Sequence, residues 1–211
     1  MAQRQIEVRS TREIILDIAK RRQRPGSGSD RTFLSTRTAT MKWINLTPIL
    51  SPIKWAVIGA VATRHYMPER LTKDLDVIIN RADRSEARKK LINAGFVFQN
   101  ELTIGGAVWL APTKDQIDVI EGDQPWLEEA LHESQSNRDQ QGLPILPFRF
   151  LVLLKFQSGR VQDLADITRM LGQADDSTLD KTRQVFQSYE PEGIRDLESM
   201  ITLGKLEMGK C

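Results

Sequence analysis

Short apolar runs separated by turn residues predict a small β-sheet in the middle of the chain. The runs have the length and the β-branched or aromatic content of strands, and they cover residues 55–58, 75–79, 96–98, 107–110 and 116–120. Glycine, proline and lysine separate the last three runs. We therefore expect these strands to pair mostly in sequence order, through hairpins.

Apolar residues with helical spacing surround these runs and dominate the last third of the chain. They predict helices at residues 38–50, 59–65, 83–93, 126–133, 147–157, 161–171, 179–189 and 192–203. The fold class is therefore α+β, with a small mixed β-sheet core, flanking helices and a helical C-terminal half. We expect three segments: a basic, flexible extension at 1–37, an α+β domain at 38–124 and a helical region at 125–211.

The composition narrows the possible classes of protein. The 211 residues are 40% hydrophobic with a formal net charge of +2, so bulk charge does not indicate a polyanion-binding protein. A single cysteine, Cys211, excludes an internal disulfide framework, and two histidines are too few for a zinc cage. No apolar run reaches the ~20 residues of a membrane span. We expect a cytoplasmic protein with no membrane partner.

The N-terminal segment carries a local excess of positive charge. Residues 1–40 contain nine Lys or Arg against four Asp or Glu. Ile6, Ile14, Ile15 and Ile18 predict one face of a short helix that ends in basic residues before a Pro, Gly and Ser linker at 25–29. An arm that contacts RNA and an extension without function are both compatible with this pattern.

Three aspartates lie in two of the predicted strands. The strand period of two places Asp74 and Asp76 on one face of an otherwise apolar run, and Asp118 is the single acid within another. If the two strands are neighbours in register, the carboxylates form a cluster that suits Mg²⁺ together with substrate phosphates. Asp118 is then also the candidate to accept the proton of an attacking hydroxyl. The alternative is that these are solvated acids at strand ends.

Two small residues follow the first predicted strand. Gly59 and Ala60 stand at a turn from strand to helix, where backbone amides can approach a phosphate. Small residues at such a turn are also common packing devices. The position, about fifteen residues before Asp74, favours the phosphate interpretation.

Together these motifs resemble the nucleotidyltransferase superfamily that includes DNA polymerase beta. The run 58–62, with Gly59 and Ala60, and the run 68–76, which contains Arg70, Thr72, Asp74 and Asp76, look like the "GGxA … RxTxDxD" pattern of AbiE-type toxin nucleotidyltransferases and related bacterial proteins. A downstream helical pattern of that group resembles Leu154, Lys155, Phe156, Arg160, Asp163, Leu164, Asp166, Ile167 and Leu171. The resemblance covers residues 50–171.

The resemblance implies an enzyme that moves a nucleoside monophosphate from a nucleoside triphosphate to a hydroxyl of RNA, a tRNA end or a protein. It implies that Asp74, Asp76 and Asp118 bind Mg²⁺, that Gly59 and Ala60 cradle the triphosphate, and that Arg70, Thr72 and Lys155 contact the nucleotide. Ala60 departs from the pattern, which prefers Gly or Ser. A toxin of this kind would have an antitoxin partner.

Two other functions are compatible with the same residues. One is transfer to a small molecule such as an aminoglycoside, and the other is a non-catalytic nucleotide-binding module of the same fold. Retention of all three aspartates favours an enzyme.

The downstream charges also have interpretations that do not depend on the resemblance. Lys155 interrupts an apolar helix, so its ammonium group either reaches solvent or meets an anion. We expect Asp163 and Asp166 to have a structural role, paired with Arg160 and Arg169.

Overall fold

The computed structural model describes residues 10–27, 42–67, 72 and 74–210. The chain divides into two compact units, Asp30–Leu154 and a second unit that joins Met1–Ser29 to Lys155–Cys211. Within the described residues, no helix is long and apolar enough to cross a membrane.

A mixed sheet of five described strands lies in the first unit, in the order β1-β2-β5-β4-β3. Strands β2 and β5 pair in parallel, whereas the other neighbours are antiparallel. The hairpins β3–β4 and β4–β5 confirm the predicted sequential pairing, and the small mixed sheet with flanking helices confirms the predicted fold class. The strands are β1 Trp55–Val57, β2 Leu75–Asn80, β3 Val97–Glu101, β4 Gly106–Leu110 and β5 Gln116–Gly122.

The helices of this unit are short, and they pack beside the sheet. Helix α3 contacts β2, α5 contacts β1 and β2, and α4 contacts β3 and α2. The helices are α2 Thr47–Leu50, α3 Gly59–Thr63, α4 Arg84–Asn93, α5 Leu127–Ser134 and α6 Phe148–Ser158, of which the last continues into the second unit.

The predicted helix at 38–50 is largely wrong within the described part of the chain. Residues 42–46 are not helical, and α2 begins only at Thr47. The side-chain oxygen of Asn45 accepts the Thr47 N–H at 2.9 Å, and Pro48 has no N–H to give to a preceding turn. These two residues fix the helix start. Residues 38–41 lie outside the described residues.

One face of β5 is turned toward helix α4. Val119 and Glu121 of β5 face α4, where the buried Glu121 carboxylate pairs with Arg84 at 3.1 Å and Arg88 at 2.9 Å. Hydrogen bonding to Glu101, and then to Glu121, raises the pKa of Arg88. Because side chains alternate along a strand, Asp118 points to the opposite face.

The first unit extends about 30 residues past the predicted boundary at residue 124. Leu143, Ile145, Leu146 and Phe150 are each 0% exposed, although they come after the sheet in sequence. The backbone N–H of Val57 in β1 donates to Pro144 O at 2.7 Å, and Val57 O accepts from Leu146 N at 3.1 Å. This segment therefore pairs with the edge strand and completes the core, which explains the later division at Leu154.

The second unit is helical. Its helices are α1 Thr11–Arg22, the end of α6, α7 Val161–Gln173, α8 Asp176–Tyr189 and α9 Ile194–Glu207. Helices α7 and α9 approach closely at two glycines, since a Cβ on Gly204 would lie 2.7 Å from Gly172 N. These elements confirm the predicted helices of the C-terminal half.

Helix α1 is part of this unit, although the sequence predicted a flexible extension at 1–37. The Arg12 guanidinium lies 3.9 Å from the centroid of the Phe156 ring and 3.5 Å from Asp196, and Leu16 is 4% exposed. The short helix predicted from the isoleucines is confirmed and ends in basic residues, but its isoleucine face is not the packed one, because Ile14 and Ile18 are 45% and 48% exposed. Arg12 and Leu16, four residues apart, form the packed face instead.

Candidate functional site

The parallel pairing of β2 with β5 brings two of the predicted aspartates together. Asp76 is the direct register partner of Asp118, so their side chains leave neighbouring strands on the same face. Each is half-buried and lies near the N-terminal end of its strand. Asp74 precedes β2 in a bend and is exposed. The structure therefore meets the condition that the two strands are neighbours in register, with Asp74 two residues before the pair.

The turn at Gly59 lies against the Asp76 carboxylate. Gly59 has φ +61°, and a Cβ at this position would overlap Asp76 Oδ2 and lie 2.7 Å from Asp76 Cγ. The backbone N–H of Ile58 also donates to Asp76 O at 2.9 Å. Only glycine fits here, because it accepts the left-handed conformation and leaves room for the carboxylate. The start of α3 is thus held beside β2.

Ala60 is the second residue of this turn, and it is 4% exposed. Its carbonyl accepts the Thr63 hydroxyl at 2.8 Å within α3. The methyl group of Ala60 is therefore a packing group, and any contribution to phosphate binding would come from its backbone amide.

Thr72 forms a local turn with Asp74. Its hydroxyl donates to Asp74 O at 3.3 Å and accepts from the Asp74 N–H at 3.4 Å. Arg70, the other residue predicted to contact the nucleotide in this segment, lies outside the described residues. Contacts of Arg70 and Thr72 with a nucleotide stay predictions.

Lys155 meets carboxylates in the second unit. Its ammonium group is 2.6 Å from Asp163 Oδ1 and 2.9 Å from Asp166 Oδ2, and the residue is 6% exposed. The Ser158 hydroxyl donates to the other oxygen of Asp163 at 2.5 Å. Asp163 and Asp166 are therefore structural, as expected, but the expected arginine partners are wrong. A contact between Lys155 and a nucleotide stays a prediction.

The candidate metal ligands of this site are carboxylates. Among the described residues, no group of three or more His, Cys, Asp or Glu side chains is arranged to hold a metal ion. The pair Asp76–Asp118 nevertheless offers two carboxylates on one face, and Mg²⁺ commonly uses one or two carboxylates together with substrate phosphates. The residues present fit an ion that is completed by its substrate.

The sequence pattern did not single out Gln116, a polar neighbour of the pair Asp76–Asp118. The Gln116 side-chain amide donates to Asp118 Oδ1 at 3.1 Å. The two residues are separated by one position in β5 and so share a face. The strand period of two could have indicated this contact, because it places Gln116 and Asp118 on one face just as it does Asp74 and Asp76.

Comparisons with known proteins give little beyond a loose likeness in fold. No protein-family model matches the chain, and no curated protein matches it in sequence. It is similar to the crystal structure of ANT(2″)-Ia in complex with adenylyl-2″-tobramycin, with a TM-score of 0.40 and 14% identity over 71% of this chain and 87% of that one. It is also similar to the solution structure of the antibiotic-resistance factor ANT(2″)-Ia, with a TM-score of 0.37 and 10% identity over 93% of each chain.

At TM-scores this low, neither similarity carries an argument about function. The AbiE-type resemblance likewise gains no support from these comparisons, and it stays a prediction.

Proposed function

We propose that this chain is a nucleotidyltransferase that moves a nucleoside monophosphate from a nucleoside triphosphate to a hydroxyl acceptor. The observation that carries the proposal is the in-register pairing of Asp76 with Asp118 on parallel strands. Two carboxylates at directly paired positions of neighbouring strands repel each other, and a cation or a proton relieves the repulsion. The close packing of Gly59 on Asp76 supports a turn that is shaped around this site.

Asp76 and Asp118 would hold Mg²⁺ in this proposal, with Asp74 as a third ligand. When bound, the ion would neutralise charge on the phosphates of the substrate. The parallel ladder between β2 and β5 fixes the backbones of both aspartates, so their carboxylates would hold the ion in a fixed position. Gly59 and Ala60 would present backbone N–H groups to the triphosphate at the start of α3.

The proposed reaction is a single displacement at the α-phosphorus of the nucleoside triphosphate. The acceptor oxygen forms a bond to the α-phosphorus while the bond from that phosphorus to the bridging oxygen breaks, and pyrophosphate leaves. Asp118 would accept the proton of the acceptor hydroxyl, the role for which the sequence makes it the candidate. Positioning and charge stabilisation would supply most of the rate enhancement.

The acceptor is assigned to RNA, a tRNA end or a protein side chain, on the basis of the resemblance and the basic residues of segment 1–40. A toxin role with an antitoxin partner belongs to the same proposal and rests on the resemblance alone. Transfer to an aminoglycoside is the competing proposal, and the two classes of acceptor are separated by experiment.

The experiment incubates the protein with Mg²⁺ and each α-labelled nucleoside triphosphate, in separate reactions with total RNA, with protein extract and with tobramycin. Label on RNA or protein that is lost in Asp76→Asn would support the first acceptor class, and label on tobramycin would support the second. Asp123→Asn is the matched control, because Asp123 is an exposed aspartate just beyond the far end of β5, where it pairs with Arg81. No label with any nucleotide would contradict the proposal.

A further inference from the structure

The carboxylate of Asp118 has one hydrogen-bond partner among the described residues, and that partner is neutral. Gln116 Nε2 donates to Asp118 Oδ1 at 3.1 Å. On the neighbouring strand β4, the register partner of Asp118 is Val108, which has no donor to offer. The orientation of the Asp118 carboxylate therefore depends on the Gln116 amide.

The backbone of Gln116 is itself fixed. Gln116 pairs with Leu110 of β4 and begins strand β5, so the position of its Cα is set by the antiparallel ladder. A side chain at this position reaches along its own strand to the residue two further on, which lies on the same face. The contact is thus built from secondary structure on both sides.

The neutrality of the partner distinguishes Asp118 from the other acid in β5. Glu121, three residues later on the opposite face, is 4% exposed and is held by the guanidinium groups of Arg84 and Arg88. Those arginines neutralise its charge, as suits a structural carboxylate. An amide can orient a carboxylate while leaving its full negative charge available to a cation or a proton.

We propose that Gln116 is a positioning residue for Asp118, an inference that rests on the proposed nucleotidyl transfer. Its amide occupies Oδ1 and fixes the rotation of the carboxylate, so that Oδ2 remains available to a divalent cation and to the acceptor hydroxyl. Gln116 acts through Asp118 and does not itself touch the reacting atoms.

The test uses two substitutions that remove the donor in different ways. Gln116→Ala removes the side chain, whereas Gln116→Met keeps its length and cannot donate a hydrogen bond. Neither substitution affects the backbone ladder. At saturating Mg²⁺, we expect both variants to lower the single-turnover rate about fivefold, the effect of one hydrogen bond of ordinary strength, with the nucleotide concentration that gives the half-maximal rate unchanged. Gln99→Ala is the matched control, because Gln99 is an exposed glutamine of β3 whose amide nitrogen donates to the nearby carbonyls of Val97 and Phe98.

A second readout does not require turnover. Mn²⁺ titrated into the protein and followed by electron paramagnetic resonance should bind about threefold to fivefold more weakly to both Gln116 variants. In an Asp118→Asn background, Gln116→Met should cause no further loss, because residues that act through one group are not additive.

Two results would overturn the inference in distinguishable ways. If the wild-type protein binds Mn²⁺ and transfers label but Gln116→Met equals it in both assays, the role of Gln116 is wrong and the proposed function stands. If the wild-type protein neither binds Mn²⁺ nor transfers label, both the proposed function and this inference are wrong.

Discussion

Gly59→Ala is the substitution that most sharply tests the contact between the α3 turn and the Asp76 carboxylate. The new methyl carbon would lie 2.7 Å from Asp76 Cγ and 2.9 Å from Asp76 Cβ. Unstrained carbon atoms sit about 3.5 to 4.0 Å apart, so Asp76 or the turn must shift by about 1 Å. A displacement of that size at reacting groups lowers a rate by about 100-fold.

The substitution also has a cost in stability, which has two parts. An L-residue at φ +61° is disfavoured by about 1 to 2 kcal/mol. The overlap with Asp76 adds about 1 to 3 kcal/mol, as for other overpacked positions. We therefore expect the free energy of unfolding to fall by about 2 to 5 kcal/mol.

Gly142→Ala separates these two parts. Gly142 has φ +77°, and a Cβ there would meet nothing within 4 Å, so this variant has the backbone penalty without the overlap. The assay compares the Mg²⁺-dependent rate of label transfer and the free energy of unfolding in urea for wild type and both variants. A Gly59→Ala protein with wild-type activity, or one no less active than Gly142→Ala, would refute the reasoning.

Two further predictions concern other buried groups. Lys155→Met leaves Asp163 and Asp166 without their cation, so we expect a loss of about 3 to 5 kcal/mol in urea denaturation, against little change for the exposed Lys89→Met. An unchanged midpoint would contradict the buried ion cluster. Burial raises the pKa of Tyr66 from 10.0 to about 12. The contribution of the neutral Tyr66 phenol to the free energy of unfolding is therefore complete below pH 10 and is lost as the pH rises through 12. Absorbance titration at high pH should lose its late component in Tyr66→Phe and keep it in Tyr189→Phe.

The strands and most helices could be predicted because their signals are local. Short apolar runs mark β2 and β5, and the strand period of two places Asp74 and Asp76 on one face; neither signal requires knowledge of distant residues. The sequence also shows that Asp76 and Asp118 would be neighbours if β2 and β5 paired in register. Whether β2 and β5 meet in parallel register is a long-range property, however, and only the structure shows it.

Features that depend on distant partners were missed. The packed face of α1 is set by Arg12, whose guanidinium lies over the ring of Phe156, so the isoleucine pattern predicts the helix but not the side that packs. The extent of the first unit is set by the pairing of Val57 with the segment around Ile145. The overlap of Gly59 with Asp76 likewise needs three-dimensional positions, since the sequence shows only a glycine at a turn.

The most direct test of the central claim is a comparison of transfer rates for Asp76→Asn, Asp118→Asn and the double variant. If the two carboxylates form one site, each single change lowers the rate by at least about 100-fold, and the double variant is no slower than the slower single one. Asp123→Asn should keep the wild-type rate, and thermal unfolding should confirm that every variant is folded. Either single variant within a few-fold of wild type, or effects that multiply in the double variant, would contradict a shared site at Asp76 and Asp118.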